Sequence, residues 1–132
     1  MIWLPHIILI GFNLVNVWID AYRIFKNKKI AHGINFGAYL TTGVVCIWFF
    51  HFGLWQAVVY LLSAFFSRQV NFDIPLNIRR GKKWDYVSLD KPPKALMDRI
   101  EVRIFGYNGA APTLIYLMLW ILTLTIYYHV AT

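Results

Sequence analysis

The sequence predicts an all-α integral membrane protein, with four transmembrane helices and a cytoplasmic loop that carries a short interfacial amphipathic helix. Three observations predict it. All 13 Lys and Arg residues lie between Arg23 and Arg103, in two clusters, so residues 1–19, 30–67 and 104–132 hold no formal charge. A charged side chain in hydrocarbon costs about 2.5–3.5 kcal/mol even on lenient insertion scales, so runs purged of charge suit lipid. Composition agrees: 59% of residues are hydrophobic and 14% charged, where a soluble domain has about a quarter charged. The mean hydropathy is +0.53.

The first span covers residues 2–22, close to the ~20 residues that cross a ~30 Å hydrocarbon core as a helix. Arg23, Lys26, Lys28 and Lys29 follow this run instead of preceding it, and no small-residue cleavage site is present. It therefore reads as a retained span and not as a signal peptide. The middle apolar run, residues 34–66, is too long for one span and divides into two, at 34–51 and 54–72. His51, Phe52, Gly53 and Leu54 form the turn, flanked by Trp48, Phe49, Phe50 and Trp55 as an interfacial belt would be. The fourth span, 110–130, opens with Pro112, where a missing N–H is tolerated, and closes with Tyr127, Tyr128 and His129.

Four spans within a single polytopic domain, 1–132, put both basic clusters on one side and both termini with the His51 turn on the other. Positive residues mark the cytoplasmic face, so the expected place is the bacterial inner (plasma) membrane with both termini outside. A three-span reading would divide the basic clusters between the two sides and lose the asymmetry.

The long loop, 73–105, follows the third span. Residues 70–89 admit two readings. Alternation from Val70 to Ile78 suggests a hairpin with Trp84 to Leu89, against which Pro75 weighs. The helical reading, slightly preferred, caps a short helix with Asp73, places Pro75 in its first turn and stops it at Gly81. Further on, Asp90 and Pro92-Pro93 can start a helix with an apolar stripe of Leu96, Met97, Ile100 and Ile104, ending near Gly106 on the membrane surface.

Candidate chemistry starts in the first span, where Asn13, Asn16, Asp20 and Arg23 share a face at spacings of 3, 4 and 3. Such a stripe suits an ion, proton or headgroup site turned into the bundle; it equally suits amide packing contacts with Asp20 and Arg23 neutralised near the headgroups. His32 and Asn35 open the second span, and Arg68, Gln69, Asp73 and Asn77 lie at the cytoplasmic end of the third. The candidate site is thus Asn13, Asn16, Asp20, Arg23, His32, Arg68, Asp73 and Asn77. Asp20, His32 and Asp73 are possible metal ligands within it, but their spacing fits no closed motif. A charged cytoplasmic rim is the plainer reading of the second group.

Arg79, Arg80, Lys82 and Lys83 form a patch for anionic lipid headgroups, worth about 1 kcal/mol per cation near the surface. The +7 net charge is explained by lipid without nucleic acid, since no aromatic stacking platform accompanies it. Gly33 and Gly37 offer a close-contact pattern for a neighbouring helix, and Thr41, Thr42, Thr113, Thr123 and Thr125 suit back-bonding to their own helices. The lone Cys46 excludes an intrachain disulfide. No Walker loop, H-E-x-x-H, G-x-S-x-G or dinucleotide fingerprint is present, so no cofactor is implied.

Three functions fit these residues. The foremost is an accessory or assembly subunit, working as a homo-oligomer or beside a membrane protein partner. The others are a small transporter or pore using the Asn13–Arg23 stripe, and a lipid-headgroup enzyme built on Asp20, His32, Asp73 and Arg68 or Arg80.

Overall fold

A computed structural model describes residues 2–26, 32–85, 96–106 and 110–132, and among these the regular structure is entirely helical. The elements are α1 (Leu4–Phe25), α2 (His32–Phe49), α3 (Leu54–Arg68), a π-helical turn (Gln69–Asp73), α4 (Ile74–Arg79), α5 (Leu96–Phe105) and α6 (Ala110–Ala131). Two of them, α1 and α6, are long and apolar enough to cross a membrane, and Ile34–Phe49 within α2 is a shorter apolar helix.

Pro5 sits in the first turn of α1, where its absent N–H costs nothing. The buried face of α1 runs through His6, Leu9, Asn13, Asn16, Val17 and Asp20, whereas Ile7, Val15, Trp18 and Ile19 face outward. This is the reverse of a soluble amphipathic helix, which turns its polar side out. By contrast α6 is apolar all round and buries only Pro112, Thr123 and Tyr127.

The turn between α2 and α3 falls at the expected residues. His51 takes the left-handed conformation at φ 54°, and the Phe52 N–H reaches back to the Ile47 carbonyl at 3.1 Å. Among the described residues a Cβ added at Gly37 would find nothing within 4 Å, and the surroundings of Gly33, its expected companion, lie outside the described residues. Instead Gly43 faces the Leu61 side chain of α3 at 3.8 Å. Thr41, Thr42, Thr123 and Thr125 do back-bond to carbonyls three or four residues earlier.

After Arg68 the expected short helix does form, with Pro75 in its first turn and its stop at Gly81, but α3 runs into it through the π turn instead of ending at 72. Asp73 caps nothing: it has helical dihedrals and makes no side-chain cap bond. The hairpin alternative therefore fails over 70–79, while its second half, 86–89, lies outside the described residues. Proline at 75 has no N–H for the carbonyl four residues back and its ring crowds that carbonyl, which belongs to Asn71. The π turn includes Asn71 and ends two residues before Pro75, so it widens the coil just ahead of the proline. The helix then stops in a Schellman closure: the Gly81 N–H bonds the Ile78 carbonyl at 3.0 Å and the Lys82 N–H the Asn77 carbonyl at 2.9 Å.

In the assembled bundle α3 lies along α6 and also meets α1 and α2, while α1 packs on α2, the π turn and α4. One apolar cluster joins Leu9, Tyr39, Cys46, Tyr60, Ala64 and Tyr127; a smaller one joins Val17, Phe72 and Leu76. At one end the chain closes on itself. Trp3 stacks on Tyr128 at 5.9 Å, His6 meets the Tyr127 ring edge-on at 4.5 Å, and Phe52 from the turn meets Tyr60 at 5.1 Å. The Tyr127 hydroxyl donates to the Ile2 carbonyl at 3.2 Å and the Tyr60 hydroxyl to the Pro5 carbonyl at 3.2 Å. The start of α1, the His51 turn and the end of α6 thus share one end of the bundle. Helix α5 stops at Gly106 as expected, where φ is 65°. Its proposed start at Asp90 to Pro93 lies outside the described residues.

Candidate functional site

The inward face of α1 meets polar side chains from α2 and α3 and forms a seam through the bundle. Asp20 is wholly buried at 0% exposure. Both of its oxygens accept from the Asn35 amide, at 2.9 and 2.8 Å. Asn35 can do this because it stands near the start of α2, opposite the last turns of α1. A neutral amide offsets only part of the several kcal/mol that burying a carboxylate costs.

The balancing charge is Arg68, the last residue of α3, which lies within electrostatic reach of both Asp20 and Asp73. Its guanidinium sits 4.2 Å from the Phe72 ring centre, 5.5 Å from Phe36 and 5.7 Å from Tyr39. These ring faces suit the delocalised cation. They offer its N–H groups no acceptor, and Nη1 is buried without a hydrogen-bond partner.

One turn deeper, the Tyr39 hydroxyl donates to the Ala64 carbonyl at 2.6 Å and lies 3.2 Å from the Ser67 hydroxyl, which itself bonds the Ala64 carbonyl at 3.0 Å. Asn13 lies beside the same Tyr39 hydroxyl, yet neither its amide nitrogen nor its oxygen completes a hydrogen bond. Asn16 Nδ2, Ser63 Oγ and Asn71 Nδ2 are likewise buried and unpartnered. Each buried unpaired polar group costs about 1–3 kcal/mol, and folded proteins tolerate few of them.

The expected site residues divide between this seam and the surface. Asn13, Asn16, Asp20 and Arg68 are all buried, with Arg68 in electrostatic reach of Asp20, whereas Arg23 is half-buried at the end of the same α1 face and Asp73 is exposed. Asn77 is buried but its amide donates to the Trp84 carbonyl at 3.3 Å, holding the turn after α4. His32 begins α2, and its side chain lies outside the described residues. Of Gln69, Asp73, Asn77 and Arg80, Asn77 is buried, Gln69 half-buried, and Asp73 and Arg80 exposed.

Arg79, Arg80, Lys82 and Lys83 are all exposed, with Arg79 stacked over the Trp18 ring at 3.1 Å. Among the described residues no three His, Cys, Asp or Glu side chains group closely enough to hold a metal.

Sequence reasoning missed Tyr39, Ser63, Ser67 and Asn71 as members of the seam. A signal existed: Asn35 with Tyr39, and Ser63 with Ser67 and Asn71, recur at intervals of four, which is one face of a helix. Comparison with family models, with characterised proteins and with solved structures finds no match.

Proposed function

We propose that the chain is a four-span protein of the bacterial inner membrane that passes a small polar solute through the seam between α1, α2 and α3. The seam itself carries this reading. Unpartnered Asn13, Asn16, Ser63 and Arg68 atoms accompany a buried Asp20, inside helices whose outer faces are apolar. Ionisable groups at such depth are expensive and mark solute or ion pathways in membrane proteins. Spanning is supported by the charge-free runs and by the inverted polarity of α1. The common end of the Trp3, His51 and Tyr127 segments supports a topology with both termini outside and both basic loops cytoplasmic. In this topology α5 lies on the cytoplasmic surface, where Arg79, Arg80, Lys82 and Lys83 meet anionic headgroups.

Flux of ions and small neutral solutes in proteoliposomes tests the reading. Uptake of at least one solute above empty vesicles, reduced by Asn13→Leu in a protein that still folds, is the expected result. Equal traces with and without protein for every solute would end it.

A second reading, an assembly subunit or homo-oligomer, draws on the outward faces of α2 and α6. Val44, Trp48, Met118 and Leu122 are all more than half exposed, at 58, 75, 70 and 54%. Lipid or neighbouring helices must cover them. Size determination in nanodiscs separates the two coverings, because only the second raises the copy number.

A further inference from the structure

We infer that the solute bound in the seam is a small anion, gripped by the Arg68 guanidinium together with amide and hydroxyl donors. This deepens the transport reading and rests on it. The unpartnered groups set the sign of the ligand. Arg68 Nη1, Asn13 Nδ2, Asn16 Nδ2 and Asn71 Nδ2 are all donors, and the Ser63 hydroxyl can donate as well. Among these described residues one unpartnered atom can only accept, Asn13 Oδ1, and the Ser63 hydroxyl can do either.

A cation in the same place needs several oxygen ligands, about six for the common hard ions, and would sit beside a buried arginine. The obvious oxygen donor is already engaged, since both Asp20 oxygens are turned to the Asn35 amide.

Arg68 is suited to the task by its surroundings. It is 9% exposed, and Phe72, Phe36 and Tyr39 lie around its cationic group. An aromatic ring holds a guanidinium without consuming its hydrogen-bond donors, so the group stays charged, fixed and available. Charge-assisted N–H bonds from such a group are among the stronger polar contacts an anion can find. Asp20 and Asp73 lie close enough to moderate its field. Passage through a membrane demands this balance, because an anion held by an unopposed buried arginine would not leave.

The test uses the full chain in neutral-detergent micelles. Thermal unfolding is followed as chloride, nitrate or inorganic phosphate replaces gluconate at constant ionic strength and constant sodium. At least one small anion is expected to raise Tm in a saturable way. Arg68→Gln is expected to abolish the rise and Ser63→Ala to weaken the half-saturating concentration several-fold. The serine variant keeps the test decisive if the arginine variant fails to fold.

A rise that is unchanged in both variants overturns the assignment. So does a rise produced when sodium replaces choline and removed by Asp20→Asn, although a cation response leaves the transport reading intact. Stabilisation by phosphatidylglycerol that no soluble anion reproduces overturns the soluble ligand and points to a lipid phosphate. Flux of neutral solutes alone removes the anion and keeps the transporter, whereas no ion response and no flux removes both.

Discussion

Asn35 spends its single amide nitrogen on both oxygens of Asp20, at 2.9 and 2.8 Å, and so joins the start of α2 to the inner face of α1. The pair is a tether as well as a part of the seam. Removing either partner has different consequences.

Asn35→Leu leaves a buried carboxylate without its donor, a change that typically costs about 3–5 kcal/mol. Asp20→Asn removes the charge and retains an acceptor, so it is expected to cost less. The double variant Asp20→Asn/Asn35→Leu should be more stable than Asn35→Leu alone. Thermal unfolding of the three proteins in one detergent checks the order, and a double variant less stable than Asn35→Leu would refute it.

Tyr39→Phe deletes the hydroxyl that donates to the Ala64 carbonyl at 2.6 Å. That carbonyl keeps the Ser67 hydroxyl as a donor at 3.0 Å, so the loss is expected to stay at about 1–1.5 kcal/mol. Urea or thermal unfolding measures it. A loss above about 3 kcal/mol would mean that the ring, not the hydroxyl, had been displaced.

Gly81→Ala is expected to destabilise the end of α4 by about 1 kcal/mol. The cause is backbone conformation alone, because φ is +68° and an added Cβ would meet nothing within 4 Å. Gly81→Asn should be tolerated better, since asparagine visits the left-handed region more readily. Limited proteolysis between residues 82 and 85 reports fraying of this closure, and equal cleavage of wild type and Gly81→Ala would contradict the account.

Arg79→Ala breaks the stack over Trp18, in which the guanidinium carbon lies 3.1 Å from the ring centre. At an exposed position this interaction is worth about 0.5–1 kcal/mol. Arg79→Lys should retain part of it. A double-mutant cycle with Trp18→Leu isolates the coupling, and zero coupling would show that the stack contributes nothing.

The proposed topology makes a separate statement about sidedness. With Cys46 replaced by Ser, single cysteines at His51 and Thr132 should react with an impermeant thiol reagent from the outside of intact cells, and a cysteine at Lys82 only after permeabilisation. Labelling of the Lys82 position in intact cells would invert the assignment.

Much of the helical plan could be read from the chain, because it depends on residues that are near one another in sequence. Charge-free runs delimit α1, α2 and α6, Gly53 and His51 sit where the chain reverses, and Gly106 ends α5. The extension of α3 through Asp73 to Arg79 could not be read in this way. Pro75 and three nearby charges look like the end of a helix, and only the π turn allows the coil to continue. The candidate site was half legible for the same reason. Asn13, Asn16 and Asp20 share a face by their spacing, and Asn35 and Arg68 could be named from the ends of the neighbouring spans, but that Asn35 is the residue bonded to Asp20 depends on how α2 is set against α1. Ser63 and Ser67 are masked by their chemistry, since a serine hydroxyl in an apolar helix can bond its own backbone, and Tyr39 reads as an apolar ring until α3 brings the Ala64 carbonyl to its hydroxyl.

The bond from the Tyr127 hydroxyl to the Ile2 carbonyl links residues 125 positions apart. Contacts of that separation form last, because the intervening chain must first be made and ordered. On the ribosome, His6 can therefore meet Tyr60 of α3 first, and its second ring contact, Tyr127, arrives only once α6 has emerged. A nascent chain stalled before α6 would leave Trp3 without Tyr128, and His6 and Tyr60 without Tyr127.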